Sequence, residues 1–305
     1  MKAFLNLNLA ASLLAGLLFF PLAQADELLK KTVDISDIDA VEIAGPGLLS
    51  ISQGDTEALE IIASAKAMER VEVDARGSTL RLRLKDGSSW GWFKMDNNIH
   101  YKLSLKTLNK LRSAGSVDTE FLTHLTGDAL KLDRAGSGDL RAKAIIVKKF
   151  SLSSAGSGDF SADVIQADEI ELSSAGSGDL RANSMKATDL IEVSSAGSGD
   201  TRIDQLNTSR FEITMGGSGD AQINGGEVDS QRVSVSGSGN YTAPKMKSRD
   251  AQVDLSGSAD AKVWATDSLE VDASGASDVH YYGQPSIKVD TSGASSVKSL
   301  GMSPH

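Results

Sequence analysis

Between residues 139 and 158 the chain reads DLRAKAIIVKKFSLSSAGSG, and its apolar positions fall into three short alternating pairs. Leu140 and Ala142 alternate with Asp139 and Arg141, Ile145 and Val147 form a second pair, and Phe150 and Leu152 a third. A period of two is the pattern of a strand with one buried face. The next stretches repeat it with Phe160/Ala162, Ile165/Ala167 and Ile170/Leu172, then Leu180/Ala182, Met185/Ala187 and Ile191/Val193. Each unit predicts three short strands separated by bends. A helical solenoid would need apolar residues at i, i+3, i+4 and i+7, which these units lack.

No unit can bury its apolar side alone. Stacked in register, with strands about 4.8 Å apart, successive units turn the pairs into continuous internal ladders. The ruler is explicit: Gly115, Gly136, Gly156, Gly176, Gly197, Gly217, Gly237, Gly257, Gly275 and Gly293 recur every 20 or 21 residues, and every 18 for the final pair of steps. The pattern predicts an all-β chain wound as a parallel β-helix of roughly 20-residue coils over residues 113–305, on the order of 45 Å long.

Each anchor glycine sits in the phrase Ala/Ser-Gly-Ser-Gly-Asp or a close variant. Glycine reaches positive φ without steric cost, so the phrase is the corner of a coil. A phosphate-cradling loop would need a following helix and usually a lysine, and neither is present.

The acid closing the phrase forms a column: Asp118, Asp139, Asp159, Asp179, Asp200, Asp220, Asp260 and Asp278, interrupted by Asn240. Like charges one strand spacing apart repel by about 1 kcal/mol in water and by more at lower dielectric. Two residues further, on the same face, lie Arg141, Arg181, Arg202, Lys262 and His280, a basic column able to offset this repulsion. Aspartates can also accept N–H groups of the turn. Calcium is the competing explanation, but glycine-rich calcium ladders recur every nine residues, about half the period here. The structural reading is preferred.

Residues 26–112 are organised differently. Val41–Ile43, Leu48–Ile51, Leu59–Ile62, Val71–Val73, Leu80–Leu84 and Tyr101–Leu105 alternate as strands, parted by turn signals such as Arg76-Gly77-Ser78. With no Pro- or Ser-rich linker before the repeats, this section is expected to begin the solenoid and to cap its open β-edge. It contains one apolar tip, Ser88-Ser-Trp-Gly-Trp-Phe-Lys-Met95. Trp90, Trp92 and Phe93 are candidates for a contact patch toward a sugar, a lipid head or a protein. A flap folded over the end of the stack would also explain them.

Composition narrows the setting. Lys2, the apolar run from Ala10 to Leu22 and Ala23-Gln24-Ala25 predict a signal peptide over residues 1–25, too short in its apolar part for a transmembrane anchor. Its removal takes away Lys2 and no acid, so the formal charge of -10 becomes -11. Such acidity argues against nucleic acid or anionic lipid as partner. The chain has no cysteine, which excludes disulfides and thiolate metal sites. The expectation is an exported protein of the periplasm or cell surface with no membrane-spanning segment.

Residues from about Thr32 to Met302 resemble the putative autotransporter adhesin head domain, or head GIN domain. The resemblance is carried by Val41-Glu-Ile43, ISQGDTEALEII, VEVDARGSTLRLRL, the Tyr101–Leu105 strand leading into LNKLRSAGSVD, and the SGSGD phrases. It implies a right-handed parallel β-helix in the bacterial envelope and brings no catalytic residues. Only a dozen residues follow Gly293, too few for a carboxy-terminal membrane barrel, so self-translocation is not expected.

The leading functional expectation is a non-enzymatic, adhesin-like rod without cofactor that binds a surface glycan or protein. A polysaccharide-acting β-helix enzyme is the alternative, yet the constant spacing leaves no room for cleft-walling loops and the four histidines, His100, His124, His280 and His305, are scattered. A structural or signalling element that associates with itself is the third.

Overall fold

The computed structural model describes residues 28–85 and 98–304. The repeats form a parallel β-solenoid of about 10 turns. Strands β7 (Lys110–Phe121), β8 (Leu125–Gly136), β9 (Leu140–Gly156), β10 (Phe160–Gly176), β11 (Leu180–Gly197) and β12 (Thr201–Gly217) build the front coils. The rear coils follow as β13 (Ala221–Ile223), β14 (Gly226–Gly237), β15 (Tyr241–Gly257), β16 (Ala261–Gly275), β17 (Asp278–Tyr282), β18 (Ser286–Thr291) and β19 (Ser296–Ser299).

Register follows the repeat. Phe160 lies opposite Leu140, Ile165 opposite Ile145, Ile170 opposite Phe150 and Gly176 opposite Gly156. The three apolar pairs of each unit are buried and fill the axis of the rod. Phe150 and Phe160 meet with ring centroids 6.2 Å apart. Extended backbone runs through the bends with local register irregularities, so the three strands expected per unit become one strand of about seventeen residues. The bends survive as phase changes in burial: Ala144 and Ile145 are both buried, and so are Val147 and Phe150.

The amino-terminal section starts the stack and covers it. β2 (Ala40–Gln53) is the first coil; β7 lies on one side of it, with β5 (Thr79–Leu84) and β6 (His100–Leu105) on the other. β3 (Ala58–Ser64) then pairs antiparallel with β6, β1 (Leu28–Val33) with β3, and β4 (Val71–Arg76) with β5. One helical turn, α1 (Ala65–Met68), is capped by Ser64, whose Oγ accepts the Ala67 N–H. Antiparallel strands can leave one face to solvent, which suits them to the end of a parallel stack.

Candidate binding surface

The corner shows why glycine is required. Gly156 has φ +126°, and a Cβ there would lie 2.1 Å from the Gly136 carbonyl oxygen. Gly136, Gly176, Gly197 and Gly217 repeat the conformation, with φ from +121° to +135°. Successive corners lie backbone on backbone: the Ser157 N–H donates to Gly136 O at 3.1 Å and the Ser177 N–H to Gly156 O at 3.0 Å.

The aspartate column is a hydrogen-bonded ladder. Each backbone N–H in it donates to Oδ1 of the acid one coil before: Asp139 to Asp118 at 2.9 Å, Asp159 to Asp139 at 3.0 Å, Asp179 to Asp159, Asp200 to Asp179 and Asp220 to Asp200 at 2.9 Å. Asn240 does not interrupt it. Its N–H donates to Asp220 Oδ1 at 2.8 Å, and its own Oδ1 accepts the Asp260 N–H at 3.1 Å. Hydrogen bonds from N–H to a carboxylate are charge-assisted, which helps offset repulsion within the column. Among the described residues, no three His, Cys, Asp or Glu gather as metal ligands.

The second carboxylate oxygen meets the basic column unevenly. Arg141 reaches Asp139 Oδ2 at 2.6 Å, and Arg181 bridges Asp179 Oδ2 at 2.5 Å and Asp159 Oδ2 at 3.3 Å. Arg202 turns instead to Asp204, at 3.5 Å. Beyond Asp220 the column continues as Gln222, Thr242, Lys262 and His280.

One arginine lies inside the rod. Arg134 stacks between Ser113 and Ser154, and only 7% of it is exposed. Its guanidinium donates to Gly138 O and Asp159 O at 2.8 Å, to Ser154 Oγ at 2.6 Å, and to Gly158 O. It thus ties two successive corners together. Burial pushes its pKa below the usual arginine value, while Asp139 and Asp159 pull the other way. A groove of about 600 Å³ opens beside it, lined by Glu42, Arg81, Arg112 and Asp133 among others. Its surface cations are already paired: Arg81 with Glu42 at 2.9 Å and Arg112 with Asp133 at 3.2 Å.

Trp90, Trp92 and Phe93 lie outside the described residues, as do residues 1–25, where a signal peptide was expected. The flanking strands β5 and β6 stack on the two arms of β2, on either side of the corner that Gly45-Pro46-Gly47 turns. Among the described residues no helix is long and apolar enough to cross a membrane.

These features define a β-solenoid that displays side chains in straight columns and is closed at its amino-terminal end by antiparallel strands. The chain belongs to the family described as putative auto-transporter adhesin, head GIN domain, whose model matches residues 37–203 and 164–285. Among solved structures it is similar to a putative adhesin from Parabacteroides merdae, with 18% identity, 90% of this chain and 97% of that chain covered, and a TM-score of 0.49. A putative lipid binding protein from Parabacteroides distasonis gives 20% identity, 91% and 96% coverage and a TM-score of 0.47. A putative adhesin from the same organism gives 18%, 90%, 98% and 0.48. No curated protein sequence matches the chain.

Proposed function

We propose that this protein is an exported, non-enzymatic rod of the bacterial envelope, without a resident cofactor, that binds a surface glycan or protein through its flat β-faces. The observation that carries this reading is the constancy of the coils. Phe160 to Gly176 stacks residue for residue on Leu140 to Gly156, and the outward side chains form columns rather than a walled cleft. Repeated columns suit an extended ligand that touches many coils at once. Family membership and the leader-like residues 1–25 support the envelope location.

Fractionation with surface proteolysis of intact cells is expected to find the protein in the periplasm or at the surface. Glycan-array and pull-down measurements on the intact rod are expected to yield a saturable ligand. Cytoplasmic retention, or the absence of any ligand, would overturn the reading. Polyuronate turnover abolished at a defined Asp–Arg pair would replace it with an enzyme.

Self-association is favoured by a separate observation. Among the described residues β18 pairs only with β16, and it exposes Ile287 and Val289, each at 45%. Open apolar strand edges template pairing with another chain. Light scattering is expected to show a concentration-dependent dimer that Val289→Lys removes. A strictly monomeric species would dismiss it.

A further inference from the structure

Three departures coincide over the rear coils. First, the second carboxylate oxygens are released, a change that begins at Asp200, where Arg202 turns to Asp204. Asp220 and Asp260 use Oδ1 for the ladder, and among the described residues no cation reaches their Oδ2 atoms. The side chains of Thr242, Lys262 and His280 likewise have no hydrogen-bond or ion-pair partner there. A groove of about 450 Å³ runs over this set.

Second, the coil shortens. Tyr241 and Thr242 oppose Ala261 and Lys262, but Lys247 opposes Trp264, so residues are dropped between the two registers. The burial phase change near Pro244 and Lys245 is lost, and burial alternates evenly from Ala261 to Ala265. Third, the straightened strand carries Trp264 on the same side as Asp260 and Lys262, by the i, i+2 rule. Tyr282 lies opposite Trp264 on the next coil, and both are half-buried.

A buried chain of hydrogen bonds lies beneath. The Tyr241 hydroxyl donates to Gln231 Oε1 at 3.1 Å, Gln231 Nε2 donates to Ser248 Oγ at 2.7 Å, and Ser248 Oγ donates to the Trp264 carbonyl at 2.9 Å. This fixes the Trp264 backbone from within, as a preorganised site requires.

The chemistry selects the ligand. Free carboxylate oxygens and the Gln222 carbonyl accept, the Thr242 hydroxyl and Lys262 ammonium donate, and Trp264 and Tyr282 continue the same outward face two residues beyond Lys262 and His280. A ring bearing hydroxyls at its rim and C–H groups on its faces meets all three demands. Two free carboxylates against one lysine, on a chain of net charge -10, disfavour an anionic ligand. We propose that the groove over Asp220, Asn240, Asp260, Lys262 and His280, continued along the same face by Trp264 and Tyr282, binds a neutral oligosaccharide. This rests on the reading of the protein as a binding rod and names the site and ligand class.

Replacing Trp90 and Trp92 by Phe leaves Trp264 as the sole tryptophan of the chain. That variant is titrated with cellohexaose, chitohexaose, mannohexaose and maltohexaose, and with polygalacturonate as the anionic counterpart. At least one neutral hexamer is expected to change Trp264 fluorescence saturably. Lys262→Ala and Asp260→Asn should each weaken binding by roughly tenfold. Asp260→Asn keeps the ladder acceptor, as Asn240 does naturally, so its effect is separable from unfolding, with Tm as the check.

The proposal is overturned if no hexamer alters Trp264 emission, if both variants bind with unchanged affinity, or if polygalacturonate binds best. Binding by the native chain that disappears on replacing Trp90 and Trp92 also overturns it. Unchanged affinity in both groove variants would leave the rod a glycan binder and remove only this site. Failure of every ligand on the array would instead remove the broader reading.

Discussion

The front and rear coils share one backbone device and differ in what their side chains do with it. From Asp139 to Asp278 every coil offers an N–H to the acid or amide before it. In front, Arg141 and Arg181 take the other carboxylate oxygen, and Arg134 ties two corners from inside. Behind Gly217 the arginines give way to Gln222, Thr242, Lys262 and His280, and the coil length falls to 18. The ladder bond holds the fold. The second oxygen is free to vary, and recognition can evolve there without disturbing the stack.

The harshest way to break the front is at a corner. Gly156→Ala forces an L side chain to φ +126° and into the Gly136 carbonyl at 2.1 Å. A loss of about 4 kcal/mol or more is expected in urea unfolding. Gly216→Ala, one residue from a corner but with 4.0 Å of clearance, should change stability by less than about 0.5 kcal/mol. Equal effects would mean that the corners do not set the stack.

Arg134→Met comes next. It leaves corner carbonyls without their donor and should cost about 2–3 kcal/mol, whereas removing the surface cation Arg141 should cost under about 1 kcal/mol. A stabilised Arg134→Met would show the buried cation to be a net burden, as some buried ions are.

Two further substitutions compare the interiors and the ladders. Tyr241→Phe strips the donor from Gln231 Oε1 in the rear core and should cost about 1–2 kcal/mol. Burial pushes the Tyr241 hydroxyl far above its usual range, so no phenolate forms at accessible pH. Asp179→Asn and Asp260→Asn both keep the acceptor, but only the first also removes the Arg181 partner. Asp179→Asn should therefore be the more destabilising, by a few tenths of a kcal/mol that salt diminishes.

Coil length, corner glycines and the buried apolar pairs were legible because stacking repeats one local rule and errors do not accumulate. Exceptions to a column were equally visible and harder to weigh. Arg134 stands where neighbouring coils have Ser, and Gln231 stands between Phe211 and Ala251 in an apolar column. Either could have been found by aligning the coils. Trp90 and Trp92 drew the eye as a pair, whereas Trp264 is marked only by the 18-residue step around it. Arg202 shares the spacing of Arg141 and Arg181 but pairs with Asp204, a choice between nearby acids that spacing does not determine. The mixed orientation of β1, β3 and β4 was not legible, because alternation is the same in parallel and antiparallel strands.

The gentlest probe is pH, and it acts at the front end. His100 on β6 lies between Leu48 of β2 and Ile62 of β3, with Nε2 2.8 Å from Ser50 Oγ. Burial lowers its pKa below the ordinary 6.5 and Lys102 adds to this, while Glu60 and Glu120 act in the opposite sense. The unfolded chain therefore binds the proton more readily, and stability must rise with pH across this window. The contribution is complete above 6.5 and is lost as pH falls below it toward the folded-state value. Because the ring is only partly buried, the loss should be smaller than any above. Between pH 7.5 and 5.5, Tm should fall slightly more for the native chain than for His100→Gln, with amide exchange in β6 accelerating before that in β15. An identical pH response in the two proteins would detach His100 from the stability of the front end.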